Sequence, residues 1–247
     1  MYHFFVKEPV RVCDTVRITG SDYNHIKNVL RMHADDTVVL TGSDGLPYYC
    51  VIRDVTTDEI ILEADRAADA PELSVCITLY QGLAKGEKMD GIIQKSVELG
   101  AVRIVPVEMD RCVVRLDERK KESRTARWQA IAESAAKQSG RGIIPSVGPV
   151  MGLDEALHDA DGSLILLPYE NAEGMETLAA TAAELKESDS VSVFIGPEGG
   201  YEPDEVTKAL CAGARLVSLG RRILRTETAG PALIAFLMLT DEINNRG

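Results

Sequence analysis

The sequence contains neither of the two glycine motifs that most often bind nucleotide phosphates. No Gly-x-Gly-x-x-Gly follows the first strand predicted for its α/β part, and no Gly-Lys-Ser or Gly-Lys-Thr phosphate loop occurs. A dinucleotide or nucleoside triphosphate site is therefore not expected. A ligand without phosphates, bound by backbone amides and carbonyls late in the chain, is compatible with this absence.

Cysteine is scarce and scattered. The five cysteines form no Cys-x-x-Cys pair and have no group of histidines nearby, which argues against a zinc site and against a disulfide framework. No metal is predicted. Cys50, Cys76 and Cys211 lie in apolar stretches, where we expect them to be small core residues.

Long hydrophobic runs are also missing. The longest, from Ala232 to Leu239, is too short to cross a bilayer. Residues 1–7 lack the basic start, apolar core and cleavage site of a signal peptide. These patterns predict a cytoplasmic protein without a membrane partner.

Negative charge dominates the 247-residue chain, which has a formal net charge of -12. Residues 111–141, however, contain nine basic residues against four acidic ones. Screening limits the reach of distant charge to about 10 Å at moderate salt, so a local basic surface can still attract a phosphate backbone. The alternative is that this segment is the solvated face of a long helix.

Two parts of different pattern follow each other along the chain. Short strands with turns extend to about Asp65 and predict a small β-barrel, interrupted by a helix from Asp22 to Leu30 with Ser21 as its N-cap. Residues 66–72 have the composition of a linker. Strands then alternate with helices, which predicts a mostly parallel sheet covered on both faces. The predicted domains are residues 1–68 and 73–247.

Two glycine-rich segments each follow a predicted buried strand. Gly196-Pro197-Glu198-Gly199-Gly200 follows the strand ending at Ile195, and residues 219–230 follow the strand from Leu216 to Leu219. In open α/β sheets ligands bind beyond the carboxyl ends of the strands, and glycine lets the backbone approach them closely. The two segments therefore predict a cofactor site, although each alone is also typical of a surface turn or a helix N-terminus.

The same segments resemble the signature motifs of a known family. Ile195-Gly-Pro-Glu-Gly-Gly-Tyr201 with Glu205, and Leu219-Gly-Arg-Arg-Ile-Leu-Arg-Thr-Glu-Thr-Ala229, are similar to the two motifs of the RsmE family of 16S rRNA (uracil-N3) methyltransferases, which belongs to the SPOUT superfamily. The resemblance spans essentially the whole chain. It extends to residues 25–31, 85–89, 94–100, Trp128 and 133–140.

The resemblance implies both an architecture and a reaction. The expected fold is α/β: a PUA-like RNA-binding β-barrel precedes a SPOUT domain with a C-terminal trefoil knot that binds S-adenosylmethionine (SAM) and dimerises. The expected reaction is SAM-dependent methylation of uridine N3 in 16S rRNA, within the small ribosomal subunit, by a homodimer. Two alternatives are a SPOUT enzyme of other RNA specificity, such as 2'-O-ribose methylation, and a non-catalytic RNA-binding ribosome-assembly factor.

The resemblance also assigns candidate cofactor residues to three loops. The loops follow three predicted strands, and their candidate residues are Leu167, Pro168, Glu170, Ile195, Gly196, Pro197, Gly199, Gly200, Leu219, Gly220, Ile223, Leu224, Thr226 and Thr228. We expect Gly199 to let the backbone approach the cofactor.

The predicted catalytic group is a guanidinium. Negative charge grows on the two uracil carbonyls as the N3 proton leaves, and Arg225, with Arg221 and Arg222 as substitutes, suits these two acceptors. Glu198 or Glu227 is expected to accept the proton or orient a water, and the sequence does not choose between them.

RNA contacts are expected from both parts of the chain. In the N-terminal part the candidates are Arg11, His25, Lys27 and Arg31; in the basic segment they are Arg111, Arg115 and Arg124. The basic residue that this family has before its first aromatic pair is here His3.

Overall fold

The computed structural model describes residues 1–69, 71–170, 176–185 and 188–245, without the side chains of residues 176, 177, 179 and 245. Two compact units divide the chain. The first contains residues 1–72 and 136–144, and the second contains residues 73–135 and 145–247.

The first unit is built on a curled five-stranded sheet with the strand order β1-β3-β4-β5-β2. β1 is parallel to β3, and the other neighbours are antiparallel. Two register irregularities between β4 and β5 bend the strands. No pairing joins β1 to β2 in the described part of this unit, so the sheet is an open half-barrel and not the closed barrel that we expected. The strands are β1 (His3–Phe5), β2 (Thr15–Ile18), β3 (Thr37–Thr41), β4 (Pro47–Val55) and β5 (Ile60–Ala67).

Alternation along the strands creates the core of this unit. Ile60, Leu62 and Ala64 of β5 are at most 1% exposed, whereas the residues between them are partly exposed. Because β5 continues to Ala67, the first two residues of the predicted linker belong to a strand.

The helix that was predicted from Asp22 to Leu30 begins earlier than expected. α1 (Gly20–Asn24) is followed by a π-helical turn over His25–Val29. Thr19 occupies the N-cap position without a side-chain cap hydrogen bond, so the prediction of Ser21 as N-cap is wrong. The reason lies at Gly20, whose φ of +69° lets the chain turn into the helix before Ser21.

The second unit contains a parallel sheet with the strand order β12-β10-β11-β6-β7-β8, and β9 also pairs with β7. Every described pairing in it is parallel, as the alternation of strands and helices predicts. β12 ends at Val217, two residues before the predicted end. The strands are β6 (Cys76–Gly82), β7 (Arg103–Glu108), β8 (Ser146–Val147), β9 (Met151–Gly152), β10 (Leu164–Pro168), β11 (Ser190–Ile195) and β12 (Arg215–Val217).

Six helices complete this unit. They are α2 (Lys88–Glu98), α3 (Glu118–Ser139), α4 (Leu153–Asp159), α5 (Glu176–Leu185), α6 (Pro203–Cys211) and α7 (Thr226–Asn245), and the last residues of α3 belong to the first unit. α7 packs on β6, β11 and α2. It buries Leu233, Ile234 and Leu237 completely, at the three- and four-residue spacing of a helical face. No helix in the described ranges is both long enough and apolar enough to span a membrane.

The cysteine predictions are partly wrong. Cys50 is buried in the first unit, but Cys76 and Cys211 are exposed because each lies at the end of its strand or helix.

His3 is a buried titratable group in the first unit. Its Nε2 lies 2.7 Å from Thr41 Oγ1, its ring stacks on Phe5, and it is 6% exposed. Burial lowers the pKa of His3 below 6.5, although the Gly140 carbonyl and the charge of Glu72 act in the opposite direction.

We expect acid to destabilise the fold through His3. His3 binds a proton below about pH 6.5 in the unfolded chain, whereas in the folded chain its pKa is lower. The free energy of unfolding therefore decreases as the pH falls from 6.5 towards the folded pKa. Urea unfolding at pH 7.5 and pH 5.5 measures this loss. His3→Gln should show a smaller loss than the wild type, and equal losses would contradict the assignment.

Candidate cofactor site

Three parallel strands end side by side at one pocket. β10 pairs with both β11 and β12, and the loops that follow these strands enclose a cavity of about 540 Å³. It is lined by Pro168, Tyr169 and Glu170 after β10, by residues 195–201 and 203 after β11, by residues 218–226 and 229 after β12, and by Arg111. The site therefore lies where the predicted strand ends placed it.

A buried hydroxyl connects two of these loops to the sheet. Thr226 Oγ1 donates a hydrogen bond to the Gly196 carbonyl over 2.7 Å and accepts one from Gln81 Nε2 over 2.8 Å. The same Gln81 amide donates to the Gly82 carbonyl over 3.0 Å. We call Gln81, Thr226 and Gly196 the hydroxyl relay. Because the Thr226 hydroxyl is hydrogen-bonded to Gly196 and Gln81, it does not cap the N-terminus of α7.

A close backbone approach brings β6 against the loop after β11. A Cβ atom on Gly82 would lie 2.6 Å from the Pro197 nitrogen. A side chain at position 82 would therefore push this loop away from β6.

Arg111 forms one wall of the pocket. Its guanidinium binds both carboxylate oxygens of Glu202, at 2.8 and 3.1 Å, and donates to the Gly199 carbonyl at 2.9 Å. The guanidinium lowers the pKa of Glu202. A Cβ on Gly199 would lie 2.9 Å from the Arg111 Cβ, so close packing on Arg111 is reason enough for glycine here. Gly199 also lines the pocket, and the approach of its backbone to a cofactor stays a prediction.

Glu205 fixes the base of the same wall. It is 4% exposed and accepts the N–H groups of Asp110 and Glu202 at 2.9 and 2.8 Å. Next to it, the Tyr201 hydroxyl is buried with no hydrogen-bond partner among the described residues. Burial raises the pKa of Tyr201 well above its ordinary value, so the hydroxyl stays protonated.

The two candidate carboxylates are in different positions. Glu198 lines the pocket and accepts hydrogen bonds from Lys88 Nζ at 2.9 Å and from the Lys85 N–H at 3.0 Å. Burial opposes ionisation, but these two donors outweigh it and lower the pKa of Glu198. Glu227 does not line the pocket; its Oε2 is 3.6 Å from Lys88 Nζ. Glu198 is therefore a firmly ionised, weak base.

The structure places twelve of the fourteen predicted cofactor residues in the pocket lining. The two exceptions are Leu167, which is completely buried inside the sheet, and Thr228, which is exposed on the first turn of α7. Each directly precedes a lining residue along the chain, but neither side chain lines the pocket. The sequence analysis did not predict a role for Ser218 or Gln81. Gln81 could have been noticed, because a glutamine near the end of an apolar strand is unusual.

Arg225 lines the pocket and is exposed. No ion pair or hydrogen bond joins its guanidinium to another described residue. It is free to meet a ligand.

Most of the positive charge of the basic segment, residues 111–141, is neutralised by ion pairs. Six of its nine basic residues form ion pairs, namely Arg111, Lys120, Lys121, Arg127, Lys137 and Arg141. Arg115 donates to the Met109 and Asp110 carbonyls, and Arg124 is half-buried. The local excess of positive charge read from the sequence is thus largely compensated by acidic residues from elsewhere in the chain.

The candidate RNA contacts of the first unit differ in their freedom. Lys27 Nζ is bound to the Tyr23 hydroxyl and the Thr56 carbonyl, at 2.5 and 2.6 Å. Arg11, His25 and Arg31 are exposed. Lys27 would have to give up two hydrogen bonds in order to bind a phosphate.

Comparison with known proteins agrees with this geometry. Residues 71–238 match the family model of an RNA methyltransferase domain, and residues 18–65 match that of an RNA methyltransferase PUA domain. The ribosomal RNA small subunit methyltransferase E of Bacillus subtilis is 33% identical over 93% of both chains. This chain belongs to the ribosomal RNA small subunit methyltransferase E family. Its fold thus combines an RNA methyltransferase domain with a PUA domain.

Two solved structures of similar proteins contain SAM. The ribosomal RNA small subunit methyltransferase E of Neisseria gonorrhoeae, bound to SAM, is 34% identical, with a TM-score of 0.81 over 95% of this chain and 96% of that one. A Legionella pneumophila methyltransferase with bound SAM is 26% identical, with the same TM-score over 96% and 97%.

The close approach at Gly82 makes a prediction about stability. Gly82→Ala should lower the free energy of unfolding by about 1–3 kcal/mol, because its Cβ collides with the Pro197 backbone. Gly91→Ala is the matched control: it lies inside α2 with no atom within 4 Å of its Cβ and should gain up to about 1 kcal/mol. Urea unfolding measures both, and equal effects would refute the close approach.

Proposed function

We propose that this protein transfers a methyl group from SAM to N3 of a uridine in 16S rRNA of the small ribosomal subunit. The observation that carries the proposal is the pocket at the ends of β10, β11 and β12, in a chain whose relatives are named small subunit rRNA methyltransferases. A substrate of this kind implies a cytoplasmic enzyme.

The pocket suits SAM in size and chemistry. About 540 Å³ is within the range of small-molecule sites. Gly200 and Gly220 have φ values of +70° and +104° with no atom within 4 Å of a Cβ position, so backbone faces open space at both. SAM has no phosphates, in keeping with the missing phosphate motifs. Eleven of the twelve predicted lining residues, all but the largely exposed Ile223, would hold it, and when bound it supplies an electrophilic methyl group.

The protein's own contribution is alignment and charge. Uracil N3 must be held in line with the methyl group, and negative charge then develops on the two carbonyls that flank N3. The exposed guanidinium of Arg225 can donate to both carbonyl oxygens. Arg225 is the residue that we assign to transition-state stabilisation.

The N3 proton has only a weak acceptor nearby. Glu198 borders the pocket, but Lys85 and Lys88 keep its pKa low, while Glu227 lies outside the pocket lining beside Lys88. We therefore assign Glu198 to holding its loop and to orienting a water that carries the N3 proton to solvent, and we assign most of the catalytic effect to alignment and Arg225.

The remaining proposals concern architecture. We assign RNA binding to a domain of residues 1–68, and the SPOUT domain to residues 73–247. A trefoil knot is compatible with the strand order, since β10 lies between β11 and β12 and α7 returns to pack on α2. Leu239 and Ile243, 53% and 73% exposed on α7, are candidates for a homodimer interface.

Mass spectrometry of rRNA tests the function directly. A strain that lacks the gene should lose 3-methyluridine from 16S rRNA and regain it on complementation. An unchanged level would contradict the proposal, and loss of a 2'-O-methylated nucleotide would favour the alternative specificity. The non-catalytic alternative predicts that calorimetry detects no SAM binding.

The role of Arg225 predicts a separation of binding from turnover. Arg225→Ala should lower kcat by about 100-fold or more while the Kd for SAM changes by no more than a few-fold, because the interaction is made in the transition state. Single-turnover methylation and calorimetry measure the two quantities. Arg119→Ala, an exposed arginine away from the pocket, is the control. An equal loss of SAM affinity would instead mark Arg225 as a cofactor-binding residue.

A further inference from the structure

The segment from Arg221 to Arg225, which we call the arginine loop, forms part of the pocket rim. All five residues line the cavity, and all but Leu224 are exposed. Ile223 is 83% exposed, more than any other large hydrophobic residue in the described part of the chain. A substrate base bound in the pocket would therefore lie beside this loop.

The loop concentrates cations whose guanidinium groups have no partner among the residues that the structure describes. No ion pair or hydrogen bond joins the guanidinium of Arg221, Arg222 or Arg225 to another described residue. The basic segment is the opposite case, since six of its nine cations are paired. The cations of the second unit that remain available for phosphates are therefore densest beside the pocket. Guanidinium is well suited to bidentate phosphate contacts.

Ile223 is a costly residue in this position unless something covers it. Covering its side chain on binding would remove apolar surface from water and so favour association. Single-stranded RNA offers the unstacked faces of bases, which proteins bind through flat or apolar contacts. Alternating cations and an apolar side chain match a strand whose phosphates and bases alternate in the same way.

We propose that the arginine loop grips the RNA strand next to the target uridine: Arg221 and Arg222 bind phosphates, and Ile223 packs against a neighbouring base. The loop thereby positions the strand so that the target base enters the pocket. This inference rests on the proposed function, because it takes RNA as the substrate. It assigns the phosphate contacts of the second unit to the pocket rim, in place of Arg111, Arg115 and Arg124.

The double variant Arg221→Gln/Arg222→Gln tests the phosphate contacts. Its Kd for unmodified 16S rRNA, transcribed in vitro, should rise about 10-fold, and the slope of log K against log salt should fall by about 1–2. The Kd for SAM should stay within about two-fold. Lys95→Gln/Arg119→Gln removes the same charge from two exposed residues outside the pocket lining and should leave both RNA quantities unchanged.

Ile223→Ala tests the apolar contact separately. The KM for RNA should rise several-fold at nearly constant kcat, and Ile223→Leu should restore it, because Leu keeps the apolar volume. The sedimentation mass should be that of the wild type.

Several results would overturn the inference. The inference fails if Arg221→Gln/Arg222→Gln has the RNA affinity and the salt slope of the wild type. It also fails if Lys95→Gln/Arg119→Gln weakens RNA binding by the same factor. A change of Ile223→Ala from dimer to monomer at constant RNA affinity would identify the loop as an interface between copies of the chain. If the wild type neither binds SAM nor methylates RNA, the proposed function itself fails. If the wild type methylates RNA and the arginine variant binds RNA equally well, only this inference is rejected.

Discussion

Two hydrogen bonds of one buried hydroxyl determine the geometry of the pocket. Thr226 Oγ1 lies between the Gln81 amide and the Gly196 carbonyl, and so it connects β6, the loop after β11 and the first residue of α7. Each bond contributes only about 1 kcal/mol net, but leaving either partner unsatisfied in a buried site costs about 1–3 kcal/mol. The relay therefore fixes the relative position of the two glycine-rich loops, and the absence of a side chain at Gly82 lets them stay close to β6.

Charged groups hold the parts of the pocket that the core does not reach. Arg111 with Glu202 and Glu205 supports one wall, and Lys88 with Glu198 ties the loop after β11 to the start of α2. The two ion pairs, Arg111–Glu202 and Lys88–Glu198, are partly exposed, so each alone adds little stability. Their value is in preorganisation, because a methyl transfer needs its reactants aligned to within a fraction of an ångström.

Local patterns were enough to predict much of this structure. The alternation of strands and helices after the linker predicted the parallel sheet. The two glycine-rich segments predicted the location of the pocket, because the carboxyl ends of neighbouring parallel strands must lie together.

Long-range pairing was beyond the reach of the sequence. The partner of Arg111 is 91 residues away and that of Gln81 is 145 residues away, so neither the neutralised basic segment nor the relay could be predicted from spacing. The opening of the first sheet likewise depends on which strands lie at its edges. Leu167 and Thr228 lie outside the pocket lining because a motif specifies a segment of chain, whereas the direction of each side chain depends on the strand or helix that it occupies.

Calorimetric titration of SAM into three forms of the protein tests the relay most directly. Thr226→Ser keeps the hydroxyl and loses a methyl group, whereas Thr226→Val keeps the shape and loses both hydrogen bonds. We predict a Kd within about three-fold of the wild type for Thr226→Ser and a Kd raised about 10-fold or more for Thr226→Val. Wild-type affinity in Thr226→Val would contradict the claim that the relay sets the geometry of the pocket.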